Sequence, residues 1–423
     1  MKRIMLILAF AWACTPVYQS STNSNSNPKT LRFQDYAYEN QIKTIQLYPK
    51  GRARLHPAVT RLGEWNLRLE FDDLRDHHEN YYARVVHCNY DWTKSDLVDL
   101  DFISEYNEFP INNFEYSIDT QIPYVHYWFD LPAVKLPGNY VLMLYRDSDK
   151  NDMILSRRFM VYDSRVAFTN EDNLVGPGSV AAINQQLNFT VNYKNLNVVN
   201  PMQDIRVVIR QNQRWDNLSN DVRPSFIREM EKLLEYRFFE DSKMFKGGNE
   251  FRFFDLRSIQ YPGRNVQSVN RLTKPPEAFI ATDKSRENDA YAQYDDFNGG
   301  FFIENLDYRD ISFTNYLQVN FSLASSPVDG DVYVTGGFNQ WNLSPSNQMT
   351  YDSIRRVYTS RVLLKQGWYD YQYVVKSSSV PYYYLEGSHF QTENEYEIFV
   401  YFRPFQPRAD LLVGYLRFAE NAR

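Results

Sequence analysis

Along this chain apolar and polar positions alternate in short runs. IKTIQLY (42–48), WNLRLEFD (65–72), YYARVVHCNYD (81–91), YVHYWFDL (124–131), NYVLMLYRD (139–147) and SRRFMVYD (156–163) each read as a strand. A period of two sends successive side chains to opposite faces of a sheet. Pro137-Gly138 and the polar run 147–152 supply hairpin turns. Strands at this spacing, with no helical period between them, predict a β-sandwich over 31–163.

A second β unit is expected over 164–310, with clear strands in LNFTVNYK (187–194) and QDIRVVIRQN (203–212). Two readings stay open for 224–238. Phe226, Ile227, Met230, Leu233 and Leu234 fit one helix face with Pro224 in its first turn, whereas LLEYRF fits a strand. A third sandwich is expected over 311–423, from NYLQVNFSLA (315–324), DVYVTGGF (331–338), RRVYTSRVLL (355–364), WYDYQYVVK (368–376) and EYEIFVYFRPF (395–405). The expected fold class is therefore all-β, with three consecutive β-sandwiches of immunoglobulin/E-set-like kind.

The first residues read as an export signal over 1–13. Lys2 and Arg3 precede the apolar run 4–10, and Ala11 and Ala13 are small residues at both recognition positions of a signal peptidase. Cys14 follows at once, so cleavage before it would leave an N-terminal cysteine for lipidation, with plain secretion as the alternative. The Ser/Asn-rich segment 14–30 cannot bury enough apolar surface to offset its ordering entropy and reads as a tether. Export to the periplasm, with outer-membrane association through a lipid on Cys14, is the expected location.

Composition sharpens this picture. The 33 Tyr, 29 Phe and 7 Trp suit pleated, half-buried surfaces. A formal net charge of −6 disfavours a nucleic-acid partner. No apolar run reaches the roughly 18 residues that a membrane-spanning helix needs. Irregular turn spacing and charges on both faces of the candidate strands argue against a transmembrane barrel. The other cysteine, Cys88, reads as a buried small hydrophobe.

Catalytic signatures are missing: there is no GxSxG, P-loop, strand-to-helix GxGxxG or HExxH. His77 and His78 lie in DDLRDHHEN (72–80), which reads as a solvated hairpin rather than a metal site. Asp295 and Asp296 stand beside a Gly-Gly turn, where acidic residues are common for turn reasons. The expectation is a protein with no enzyme activity, cofactor, metal or small-molecule substrate.

The string DVYVTGGFNQWN (331–342) resembles the opening of glycogen-binding modules, and KQGWYDYQYVVK (365–376) resembles the hairpin that follows there. That resemblance implies a glycan-stacking role for Trp341. Tyr382, Tyr383 and Tyr384 would replace the family's second tryptophan, and Gln372 stands where the modules carry lysine.

A wider resemblance spans about 31–420. HCNYDWTKSDL (87–97) with PGNYVLMLYRD (137–147) and RRFMVY (157–162), then GGNEFRFFDLRS (247–258), then GGFNQWN (336–342), WYDYQY (368–373), EGSHFQTENEYEIFVYFRPF (386–405) and LLVGY (411–415) resemble the Plug family of the type IX secretion system. The resemblance implies a binding protein that meets a very large outer-membrane β-barrel translocon and caps its periplasmic mouth when idle. Exposed aromatic and arginine side chains dominate interface energetics. The partner-facing residues expected on that ground are Phe251, Arg252, Phe254, Arg257, Arg403 and Phe405. The alternative is a glycan-binding outer-membrane lipoprotein of a polysaccharide-uptake system, built on Trp341.

Overall fold

The computed structural model of the chain describes residues 29–51, 54–170, 182–220, 222–237 and 244–422. Nearly all of its regular structure is β. The first sandwich closes a six-stranded sheet over a four-stranded one. The larger sheet is built on Tyr81–Cys88, Gly138–Arg146 and Met153–Tyr162, and the smaller on Ile42–Pro49, Leu67–Asp73, Val125–Asp130 and Asn113–Tyr116. The two-residue period does the sorting: Tyr81, Ala83 and Val85 are buried, while Tyr82, Arg84 and Val86 alternate with them on the outer face.

The middle and third units depart from the consecutive order expected from sequence. Ile205–Gln211 pairs along its whole length with Asn394–Phe402, which pairs in turn with Leu411–Glu420. The chain's last two strands therefore complete the middle sandwich, opposite the sheet of Ala167–Asn170, Asn188–Asn192, Leu233–Arg237 and Phe226–Arg228. Its core joins Phe189, Val191, Leu234 and Tyr236 to Tyr396, Ile398, Val400 and Val413. The third sandwich, with its core drawn from 254 to 385, is inserted into the middle one, so the expected boundary at 310/311 and the unit 311–423 do not hold. The physical reason is visible in Asn394–Phe402, every residue of which is buried. One face fills the middle core, while Phe399 and Tyr401 pack against Val59 and Met160 of the first unit. The ambiguous stretch 224–238 resolves as a hairpin of Phe226–Arg228 with Leu233–Arg237.

Polar locks fasten the three units together. Between the first and third, buried Asp72 accepts from Lys365 Nζ at 2.7 Å and from Tyr316 Oη at 2.6 Å, and its other oxygen lies 2.7 Å from His126 Nδ1. Between the first and middle, Arg158 lies over the rings of Trp92 and Trp215, and Arg210 packs on Trp215 while pairing with buried Glu397 at 2.7 Å. Between the middle and third, the Arg214 guanidinium lies 4.2 Å from the Trp341 ring centre. A cavity of about 140 Å³ lies where all three meet, lined by Asp35, Arg54 and Arg157, by Gln213, and by Gly300 and Trp341.

Candidate partner interface

The block 247–258 was expected to present loop side chains to a partner. Most of it instead builds the interior of the third sandwich and its seam to the middle one. Arg252–Asp255 is a strand paired with Gly367–Lys376. Phe254 is fully buried, stacked on Tyr369 at 5.2 Å, and Phe251 is buried against Trp341. Arg252 donates through Nε to Glu386 at 3.0 Å and through Nη1 to Asp283 at 2.9 Å, and Arg286 reaches the same glutamate at 2.6 Å. Burial alone would raise the Glu386 carboxyl, but Arg252 and then Arg286 hold it below its ordinary value. Tyr371 and Tyr373 both donate to Asp283 Oδ2, which closes the network. Phe251, Arg252 and Phe254 are therefore architectural. The alternation FRFF was compatible with an exposed strand only as long as no cover for it was known.

Arg257 is partly exposed, chelating Asp255 through Nε and Nη2 at 2.9 and 2.8 Å and reaching Glu304 at 2.8 Å. Arg403 and Phe405 do stand outside. Arg403 pairs with Asp410 at 3.2 Å, and Phe405 is 80% exposed with Arg408 over its ring.

Trp341 is no open stacking platform. The Arg214 guanidinium of the middle unit sits 4.2 Å from its ring centre, and Phe251 packs beside it. Gly299, at φ +80°, permits this fit, since a Cβ there would lie 2.3 Å from Trp341 Cη2. The residue that suggested a sugar site thus joins two sandwiches. Tyr382 is partly exposed and packs edge-on against Tyr383 at 5.3 Å, and Tyr384 is half-buried at the mouth of a separate groove with Glu287 and Val328.

The other candidate chemistry is also absorbed into structure. Asp296 accepts N–H bonds from Phe251 and Asn298, and Asp370 accepts from Phe297 N–H and Trp368 Nε1, which pins the 295–300 loop to the third sandwich. Burial pushes the Asp370 carboxyl up to about 7. Burial, then the charge of Asp370, pushes Asp296 well above its ordinary value. The stretch 72–80 is no hairpin but a loop crossing from one sheet of the first sandwich to the other; Asp72 and Asp73 are buried, His77 bonds Asp76, and His78 stacks on Phe114 at 4.8 Å. Among the described residues no group of three or more His, Cys, Asp or Glu could hold a metal ion. Burial raises the Cys88 thiol to about 12, which leaves it unreactive. Cys14, the expected lipid site, lies outside the described residues.

One feature escaped the sequence reading. On the outer face of the third sandwich, Phe253 stacks on Trp368 at 4.6 Å, Trp368 runs parallel to Phe302 at 6.5 Å, and Phe297 meets both Trp368 and Phe302 edge-on. Arg264 covers the Phe253 end and Arg257 lies over Phe302 and Trp368. The signal was present in WYDYQY, whose first, third and fifth residues share the face opposite the buried Tyr369, Tyr371 and Tyr373.

The fold defines the class: an all-β protein of three sandwiches joined by insertion, by the buried Asp72–Lys365 pair and by cation–ring packing across the seams. Residues 42–163 match the family model described as type 9 secretion system plug protein 1st domain. The crystal structure of a hypothetical protein from Parabacteroides merdae ATCC 43184 is similar over 92% of this chain and 100% of that one, with a TM-score of 0.85 and 30% sequence identity. Among curated proteins nothing matches. Through this first sandwich the chain is placed with the type IX secretion system plug family.

Proposed function

We propose that this protein is a non-catalytic component of the type IX secretion system that binds the outer-membrane translocon barrel and closes its periplasmic opening when the barrel is idle. The observation that carries this reading is the plug-family match over 42–163. A wide barrel has an aqueous lumen that leaks unless it is covered. A cover has to keep its shape while it binds and leaves, and the buried Asp72–Lys365 pair and the packing of Arg158 on Trp215 support that by fixing the sandwiches relative to one another. The reading places the protein in the periplasm, held at the outer membrane by acylation of Cys14. Of the residues expected at the contact, Arg403 and Phe405 keep the exposure that the role needs, and Arg257 keeps part of it. No observation on Trp341 favours the glycan-uptake alternative.

The test is affinity purification of the C-terminally tagged full-length protein from detergent-solubilised envelopes, with mass spectrometry of what accompanies it. One very large outer-membrane barrel at near-equal stoichiometry is the expected result. Recovery of glycan-uptake proteins instead, or of no barrel, overturns the reading.

A further inference from the structure

We infer that the outer face of the third sandwich centred on Leu306 is the surface that receives the translocon barrel, through a segment of that partner carrying apolar side chains flanked by carboxylates. The inference rests on the function proposed above and adds the place and chemistry of the contact.

Leu306 is 51% exposed and forms a ridge between two grooves. The larger, about 660 Å³, has an apolar floor of Leu55, Phe302, Ile303 and Ile311. The smaller is bordered by exposed Tyr261. The aromatic ladder of Phe253, Trp368, Phe302 and Phe297 continues the patch on one side through Phe302. On the other side lie Tyr308, stacked on Phe313, and Ile118 of the first unit, whose N–H donates to the Ser312 carbonyl. Exposed apolar side chains from two sandwiches thus form one continuous surface, of the aromatic and arginine composition that concentrates binding energy.

Charge selects the partner. Most carboxylates bordering the patch are engaged: Asp255 and Glu304 by Arg257, Asp307 by Ser258 Oγ and the Ile259 N–H, and Asp310 by Ser312, while Asp119 beside Ile118 is exposed. Arg264 and Arg309 are exposed, and among the described residues neither has a carboxylate within ion-pair distance. A chain with a formal net charge of −6 therefore keeps uncompensated guanidinium groups around an apolar ridge. An acidic partner surface supplies the missing charges, whereas a basic one is repelled.

The experiment uses the tagged full-length protein in its own cells, with the barrel itself as the probe, quantified by mass spectrometry. The wild type is compared with Leu306→Glu/Arg309→Glu, with Arg264→Glu alone, and with Leu100→Glu on an exposed site of the first unit. The expected result is at least a tenfold loss of barrel with the double variant and a several-fold loss with Arg264→Glu. Leu100→Glu should be unchanged, and all melting midpoints should lie within a few degrees of the wild type. Recovery from the wild type should also fall as salt is raised. Equal recovery from wild type, double variant and Arg264→Glu overturns the surface and leaves the translocon reading standing. Absence of the barrel from the wild-type preparation overturns both. If the double variant instead abolishes a dimer of the purified chain while still recovering the barrel, the face belongs to a second copy and the proposal falls.

Discussion

The lock between the first and third sandwiches sets a measurable energy. Asp72 and Lys365 are both fully withdrawn from water, 2.7 Å apart, and come from strands that belong to different cores. The Lys365 ammonium also lies 3.9 Å from the ring centre of Tyr124. Burial would raise the Asp72 carboxyl, but Lys365 and then His126 pull it down to about 2. Replacing one partner leaves the other as an uncompensated buried charge, which costs about 3–5 kcal/mol. Asp72→Asn keeps the shape of the side chain and removes the charge, so that range is the expected loss in urea unfolding. Lys365→Met should lose somewhat less, because Asp72 still has His126 and the Tyr316 hydroxyl. In the double variant no charge is stranded, so its loss should fall short of the sum of the single losses by about 2 kcal/mol or more. The assay is a double-mutant cycle from urea midpoints. Amide exchange at Ile118 and Leu131 would serve as local reporters, since the first donates across this seam and the second bonds within the first unit. Faster exchange should appear at Ile118 before Leu131. Additive single losses, or a loss under about 1 kcal/mol for Asp72→Asn, would refute the reasoning. Because the Asp72 carboxyl is depressed, its contribution is present above about pH 4 and fades as pH falls towards 2.

Asp370 acts in the opposite window. Its carboxyl is raised from an ordinary 3.8 to about 7, so the folded state binds more protons and stability declines as pH rises between those values, by up to about 4 kcal/mol. Asp370→Asn should flatten that slope between pH 5 and 8 in thermal melts, and an unchanged slope would remove Asp370 as its source. Arg252→Glu sets a third carboxylate against Asp283 and Glu386 in a buried network, with an expected loss of about 3–5 kcal/mol by urea unfolding. A wild-type midpoint for that variant would show that the network carries no weight. Cys14→Ser should abolish labelling with a radioactive fatty acid and release the protein from the membrane fraction. Persistent labelling would place the lipid elsewhere.

The strands and their inward faces were legible because period-two alternation reports one-sided burial, as in Tyr81–Cys88. Connectivity was not legible. Asn394–Phe402 is buried along its whole length and hydrogen-bonded on both sides, and nothing local distinguishes a partner near in sequence from Ile205–Gln211, close to two hundred residues earlier. The ambiguous 224–238 stretch became a hairpin because Leu234 and Tyr236 fill the middle core beside Val191 and Phe189, a tertiary demand that overrides helical spacing. The site reading failed where it equated arginine and aromatic content with exposure. Arg252 sits inside because Glu386 and Asp283, far along the chain, neutralise it, and Trp341 is covered because Arg214 comes from another sandwich.

These failures share one cause, and it bears on function. Three of the strings that carry the family resemblance, GGNEFRFFDLRS, GGFNQWN and EGSHFQTENEYEIF, converge at the seam between the middle and third sandwiches. Gly248 N–H donates to Ser388 Oγ and Asn249 Nδ2 to the Glu386 carbonyl; Phe251 packs on Trp341, and Glu250 accepts the Glu393 N–H. A seam of this kind tolerates little change, because each residue answers to partners on two elements at once. Surface such as the Leu306 ridge answers only to what lies outside the chain. That part of the resemblance therefore marks how the middle and third sandwiches are held together. On the function proposed above, the contact with the translocon is to be sought among the side chains that the seam leaves unpaired.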